Sequence, residues 1–474
     1  MQDTSSQHAL PTKDLQEEEN KPTLTIGLSL AQAFVETSLI ILGLLAIGIL
    51  LPHNISGDGA IRFQSLSELI QQHKWSDMPY SFVGPFFSIP FWLVGRHFKN
   101  IEKWCEQYNL FVFAGGLLIT YLLLQKRVNH SLLRKFFLLL IAASMFANHI
   151  PTYYGEVFSA VLVGVGIIAA VTCRTGIGRF NGWFAVILGV VNVPAGLVGL
   201  GLLVFKHMLA KKRLRYALIV ISAAIFVMAE AWLRRGGPFV SGYETAQGYP
   251  TAMPFTGKTG FSYPFWFGLL SILFSFGKGL LFFTPGLLLP VRKTLLAFKQ
   301  AWNIDLYAVY WLWMLFLVGL ILVYSRWWSW YGGWFWGPRF FLFASIPASF
   351  ALAVRLHKRD ASLPINLLAA GVLCLSIWVG IDGAVFSQTQ LSKVCQGNNY
   401  QLEMLCHYTP DFSALWHPLI VPQHFTQFQT LYIAYSGIVF VYLALPLFTT
   451  IVEQVVNLIA QVGKDYLNVT LWRL

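Results

Sequence analysis

The chain reads as a series of apolar runs separated by short polar stretches, and several runs approach the roughly 20 residues that cross about 30 Å of hydrocarbon. Residues 31–51, 306–324 and 431–452 are the clearest of them. Such runs predict transmembrane helices, because lipid offers backbone N–H and C=O groups no partner outside the helix. The expected fold is all-α, a polytopic transmembrane helix bundle of about 11 to 13 spans. The apolar piece 79–94 is the exception, since it carries Pro85 and Pro90. Counting it as a span would place Lys126, Arg127, Arg134 and Lys135 outside, against the tendency of basic clusters to stay cytoplasmic. It is expected to lie along the interface, within the first outer loop.

With the amino terminus inside, the first span covers about 26–51 and later spans fall near 110–124 and 136–148, followed by one returning to Arg174 and Arg179. Residues 183–205 are apolar and glycine-rich, with Asn192-Val193-Pro194 at their centre and basic residues at both ends. That pattern predicts a hairpin returning to the cytoplasm and covered by protein, because irregular backbone at membrane depth needs such cover. Further spans are expected over 217–233, 280–289, 306–324, 340–354, 363–381 and 431–452. Residues 1–25 then form a cytoplasmic tail, 26–452 one transmembrane domain, and 453–474 a carboxy-terminal cytoplasmic tail.

Composition agrees with lipid as the main solvent: 56% of the residues are hydrophobic and 11% charged. The net charge of +12 does not point to nucleic acid, because the Lys and Arg residues sit in short clusters between apolar runs, where they orient the chain. Cys395 and Cys406 share one long inter-span loop; a bridge and two free thiols are both open readings. There is no His or Cys pattern for zinc, no phosphate-cradling Gly-Lys-Ser/Thr loop and no dinucleotide glycine fingerprint.

This topology delivers Gly57-Asp58-Gly59-Ala60-Ile61-Arg62, Tyr153-Tyr154-Gly155-Glu156, Lys258, Gly277-Lys278-Gly279 and Tyr331-Gly332-Gly333-Trp334-Phe335-Trp336-Gly337-Pro338-Arg339 to one outer face. Asp58 and Arg62 are four apart and would pair on a helix. Glu156 opens an apolar run, where an acid also favours a helix amino terminus. Lys278 interrupts a largely apolar stretch; a Lys at the centre of a membrane helix costs about 2.5 to 3.5 kcal/mol, so it is expected to meet an internal cavity or a negative partner, or to snorkel to the interface. Trp327 and Trp328 read as an interfacial aromatic belt. Arg339 follows Gly337-Pro338, a fixed turn that can aim a guanidinium at a phosphate.

On these segments the chain resembles the GT-C class of membrane glycosyltransferases, particularly bacterial relatives of the dolichyl-phosphate-mannose protein mannosyltransferases. The segment 57–62 looks like the acidic motif of that class's first outer loop. Gly277-Lys278-Gly279-Leu280 with Thr284-Pro285, and Gly333-Trp334-Phe335-Trp336-Gly337-Pro338-Arg339-Phe340, are similar to later segments of bacterial members. The chain has one acid, Asp58, where many members carry an acidic pair.

The resemblance implies a GT-C-like fold and a polyprenyl-phosphate sugar as donor. It further implies a glycolipid, polysaccharide or protein acceptor, and a place in a bacterial plasma membrane with the site facing the periplasm. Asp58 is then the expected base, Glu156 and Arg62 position the acceptor or a cation, and Lys278 and Arg339 bind the donor phosphate. Lys258, Tyr154, Tyr331 and Trp336 are candidate donor or sugar contacts. A divalent cation between Asp58 and Glu156 is compatible with their oxygen ligands. A transporter or flippase of an anionic lipid-linked substrate, or a silent lipid- or sugar-binding protein, is the alternative reading of the same residues.

Overall fold

The computed structural model describes residues 22–212, 214–243, 260–386 and 388–471. Among them the regular elements are helical, apart from one isolated bridge between Asn54 and Thr152. Seven of the helices are long and apolar enough to cross a membrane, and shorter apolar helices accompany them. The protein is a multi-pass, all-α membrane protein, as the run lengths predict.

Helix α1 (Pro22–Leu50) crosses first, and the chain then stays on one face through α2 (Asp58–Gln72), α3 (Val83–Phe86), α4 (Ile89–His97) and α5 (Ile101–Cys105). At 1.5 Å per residue, α3 and α4 reach only about 6 and 14 Å, well short of the hydrocarbon core. The proline-bearing piece therefore does not span, in keeping with its charge context. Helix α6 (Tyr108–Leu124) runs to the opposite face, and α7 (His130–Ala142) returns. At Ser144 the path breaks before α8 (Phe146–His149), because the Ser144 hydroxyl donates to Leu140 O at 2.6 Å and accepts from Phe146 N at 3.2 Å.

Four helices then alternate between the faces: α9 (Glu156–Thr172), α10 (Gly176–Asn192), α11 (Gly196–Lys211) and α12 (Ala217–Arg235). The glycine-rich composition of this region acts through packing. A Cβ at Gly166 would lie 2.6 Å from Gly182 O, and one at Gly189 3.1 Å from Ser159 O, so α9 and α10 approach backbone to backbone. Small residues allow that approach, which in lipid replaces the hydrophobic drive available in water. The expected hairpin is present, turning at Val193-Pro194-Ala195 between α10 and α11.

Helix α13 (Phe265–Phe274) stays on the face that carries α2, with its Ser271 hydroxyl 2.8 Å from that of Tyr408. The expected helix over 280–289 is instead broken into α14 (Leu280–Phe283) and a 3-10 turn, Pro285–Leu288, before α15 (Arg292–Trp302). Pro285 cannot donate to a helix ladder, and Gly286 lies directly against Ala348, which covers the irregular backbone. Helix α16 (Leu306–Tyr324) returns to the α2 face, and a 3-10 turn, Arg339–Ala344, leads into α17 (Ser345–His357) and α18 (Leu363–Val385). The following loop carries α19 (Thr389–Cys395), α20 (Gly397–Tyr400) and α21 (Glu403–Tyr408). Helix α22 (Gln427–Leu471) closes the bundle and continues past residue 452. Cys395 and Cys406 are joined in a disulfide.

The helix order brings several basic clusters to one face. Arg127, Arg134, Lys135, Arg174, Arg292 and Arg359 lie at helix ends opposite Asp58. On that opposite side, fully buried Glu36 ties three helices together. Its carboxylate accepts from Arg134 Nε at 2.6 Å, Gln32 Nε2 at 3.0 Å and the Tyr442 hydroxyl at 2.9 Å. Glu36→Ala would leave Arg134 without its carboxylate, and unfolding in detergent is expected to show a loss of about 3–5 kcal/mol. A thermal midpoint equal to that of the wild type would refute the brace.

Candidate active site

Asp58 and Glu156 come from distant parts of the chain, yet both are first residues of helices, α2 and α9. The partial positive charge of a helix amino terminus favours a carboxylate at each place. Both converge on Arg339: its Nη2 lies 2.7 Å from Asp58 Oδ2, and its Nε lies 3.9 Å from Glu156 Oε1. The second contact is too long for a hydrogen bond, and both Arg339 Nε and Glu156 Oε2 are buried without hydrogen-bond partners.

The guanidinium is held among aromatic rings, 5.4 Å from the centroid of Tyr154, 5.7 Å from Phe335 and 5.1 Å from Phe340. These faces add cation–π attraction and restrict the arginine's direction. The segment before it is bent through left-handed backbone at Gly332 (φ 77°) and Gly337 (φ 65°), a region that side-chain-bearing residues rarely enter.

Asp58 does not pair with Arg62, despite the helical spacing. Its Oδ1 instead accepts from the Tyr80 hydroxyl at 2.7 Å. Arg62 donates from Nη1 to Ser81 O at 3.0 Å and lies 5.1 Å from the Tyr80 ring centroid. It therefore bears on Asp58 through Tyr80. Burial, and then the neighbouring Asp58 carboxylate, raise the Tyr80 phenol well above its ordinary range, so it stays a donor. Burial likewise pushes Tyr154 up to about 12 and His149, just before this segment, down to about 3, leaving His149 neutral.

These groups stand at one end of a cavity of about 780 Å³. Asp58, Arg62, Tyr80, Glu156 and Arg339 line its polar end, and Ala160, Val163, Leu197, Phe316, Leu320 and Phe343 line its apolar arm. From Tyr324, at the end of α16, to Phe316 the helix rises about 12 Å, so the arm descends to membrane depth. Glu230, Tyr243 and Trp327 also face the cavity. Trp327 thus does more than mark an interfacial belt, with Phe261 edge-on at 5.2 Å.

At the cavity's edge, buried Asn192 joins three segments. Its Oδ1 accepts from Gly84 N at 2.9 Å, and its Nδ2 donates to Gly155 O and Ser159 Oγ, both at 2.9 Å. The interfacial helix α3 and the approach to Glu156 are thereby fixed by the hairpin. Asn192→Leu is expected to destabilise the protein by about 1–3 kcal/mol for each buried backbone group left unpaired, read as a lower thermal midpoint in detergent. An unchanged midpoint would show that these bonds contribute nothing.

Lys278 lies elsewhere. It is buried behind the arginine loop and donates to the carbonyls of Gly333 (3.3 Å), Phe335 and Gly337 (3.0 Å). Burial, and then the Arg339 charge, push it down to about 7, while three carbonyl acceptors favour the ammonium form. The structure does not bring it to the cavity lining. Tyr331 is also behind the loop, with its ring 4.7 Å from that of His407, and Trp336 donates to Asp382 Oδ2 at 2.7 Å. Lys258 falls outside the described residues. Among the described residues, no three His, Cys, Asp or Glu side chains gather as metal ligands. The Arg339 guanidinium lies between Asp58 and Glu156.

No family model matches the chain and no curated protein matches it. Among solved structures it is similar to ArnT from Cupriavidus metallidurans bound to undecaprenyl phosphate, with 13% identity over 90% of this chain and 78% of that one and a TM-score of 0.48. Similarity at that level assigns neither a family nor a site.

Tyr80 and Asn192 have site positions that their sequence context does not announce. Tyr80 belongs to the interfacial piece, and Asn192 reads only as the centre of a hairpin. An isolated polar residue in an apolar run is the one signal that singles out Asn192.

Proposed function

We propose that this protein is a GT-C-like membrane glycosyltransferase, which transfers a monosaccharide from a polyprenyl-phosphate donor to an acceptor hydroxyl with inversion. One observation carries the reading: two carboxylates and one arginine meet at the polar end of a cavity whose apolar arm descends to membrane depth. That shape suits an amphiphilic anion, with its phosphate at Arg339 and its chain in the arm.

In this mechanism Asp58 takes the proton of the acceptor hydroxyl as its oxygen attacks the anomeric carbon. The bond from that carbon to the phosphate oxygen breaks, and polyprenyl phosphate departs with the electron pair. Arg339 stabilises the charge that develops on the leaving group. Both oxygens of Asp58 are engaged, Oδ2 by Arg339 and Oδ1 by Tyr80. A donor phosphate that draws Arg339 toward itself therefore frees Oδ2 for the acceptor. Glu156, with Oε2 lacking a partner, is suited to orient that hydroxyl. Arg62 acts through Tyr80.

In this reading the site face is the periplasmic side of a bacterial plasma membrane, and two features support it. Arg127, Arg134, Lys135, Arg174, Arg292 and Arg359 lie on the opposite face, where a cytoplasm would hold them, whereas Arg234 and Arg235 at the end of α12 are neutralised by Glu230 on the site face. The Cys395–Cys406 bridge lies on the site side, as an oxidising compartment permits.

The test is transfer of radiolabelled sugar by purified protein from a panel of polyprenyl-phosphate sugars into membrane extract. Labelled product from one donor, absent with nucleotide sugars, would support the reading. Donor binding without product would favour a transporter or a binding protein.

A further inference from the structure

We propose that Lys278 is a positioning residue, a clamp that holds the 332–337 loop so that Arg339 points into the cavity; the functional part of this inference rests on the reading above. Three carbonyls of one short loop, those of Gly333, Phe335 and Gly337, converge on a single buried ammonium. Without a partner, three carbonyls aimed at one point repel one another, and backbone so rich in glycine would readily relax. Arg339 begins two residues after the last of them.

The clamp is anchored at its other end. Gly277 N donates to His407 O at 3.0 Å, and Ser413 Oγ donates to Phe276 O at 2.9 Å. His407 follows Cys406, which is bonded to Cys395. Lys278 thus connects a disulfide-stapled outer loop to the loop that ends in Arg339. Its ammonium reaches these carbonyls and not the cavity. A role through Arg339 replaces direct contact with phosphate.

The experiment uses the full chain in detergent and two readouts, amide hydrogen exchange and binding of sugar-free polyprenyl phosphate. Lys278→Met keeps side-chain length and removes the donors. Exchange over 332–339 is expected to quicken while 389–408 stays at the wild-type rate, and binding is expected to weaken about tenfold or more, the effect of losing charged hydrogen bonds to the loop. In an Arg339→Ala background the same substitution should then change binding little, because the two act as one unit.

Unchanged exchange over 332–339 would overturn the clamp. A full further loss of binding in the Arg339→Ala background would also overturn it, since Lys278 would then touch the phosphate itself. If Arg339→Ala binds polyprenyl phosphate as the wild type does, the phosphate role of Arg339 falls, and exchange alone decides for or against the clamp. Should Lys278→Met fail to fold, Lys278→Gln carries the same two readouts.

Discussion

Asp58→Asn is expected to lower sugar transfer by about 10²–10⁴-fold, the usual contribution of a positioned general base, while leaving the thermal midpoint within a few degrees of the wild type. The amide has nearly the carboxylate's shape and keeps an acceptor oxygen for the Tyr80 hydroxyl, but it cannot take a proton from the acceptor. It also loses the charge that holds Arg339 at 2.7 Å. Polyprenyl phosphate should accordingly bind at least as tightly as to the wild type, because the guanidinium no longer has to leave a carboxylate. Loss of turnover with retained or tightened binding separates a base from a structural acid. Full turnover in this variant would remove Asp58 from its role.

Arg339→Ala is expected to show the opposite split. Removing a charged donor aimed at developing negative charge typically costs about 10²–10³-fold in rate, and here the ground-state contact with phosphate is lost as well. Transfer and polyprenyl-phosphate binding should therefore fall together. The substitution also leaves Asp58 and Glu156 facing each other across the cavity without the cation between them, so the thermal midpoint should drop. Arg339→Lys restores charge but not the fork that can serve a carboxylate and a phosphate at once; partial recovery of binding, with transfer still low, is the expected result. Wild-type binding and transfer in Arg339→Ala would rule out the phosphate role.

Much of the architecture was legible in the chain because lipid enforces simple rules. Apolar runs had to become helices, since no other open backbone is satisfied in hydrocarbon. The charge clusters at 126–135 and the prolines at 85 and 90 were enough to keep 79–94 from being counted as a span. The hairpin at Asn192-Val193-Pro194 was visible from its basic ends. The broken crossing at 280–291 was less so, because hydropathy measures apolarity and does not register that Pro285 and Gly286 interrupt the helix.

Site chemistry followed a different division. Residue type and local spacing in the sequence nominated Asp58, Glu156, Lys278 and Arg339, since charges beside apolar runs stand out. Their partners depend on tertiary structure. Spacing of four suggested Asp58 with Arg62, yet Asp58 meets Arg339 and Tyr80, from segments 281 and 22 residues away in a chain that returns repeatedly to one face. Lys278 looked like an anion ligand by its charge, and only the path of the 332–337 loop gives it three carbonyls instead. The sequence by itself determined the helices and the end of the bundle at which each charge emerges, through solvation in lipid. Which charge faces which was decided by the tertiary structure, because packing between distant helices sets distances that no local pattern encodes.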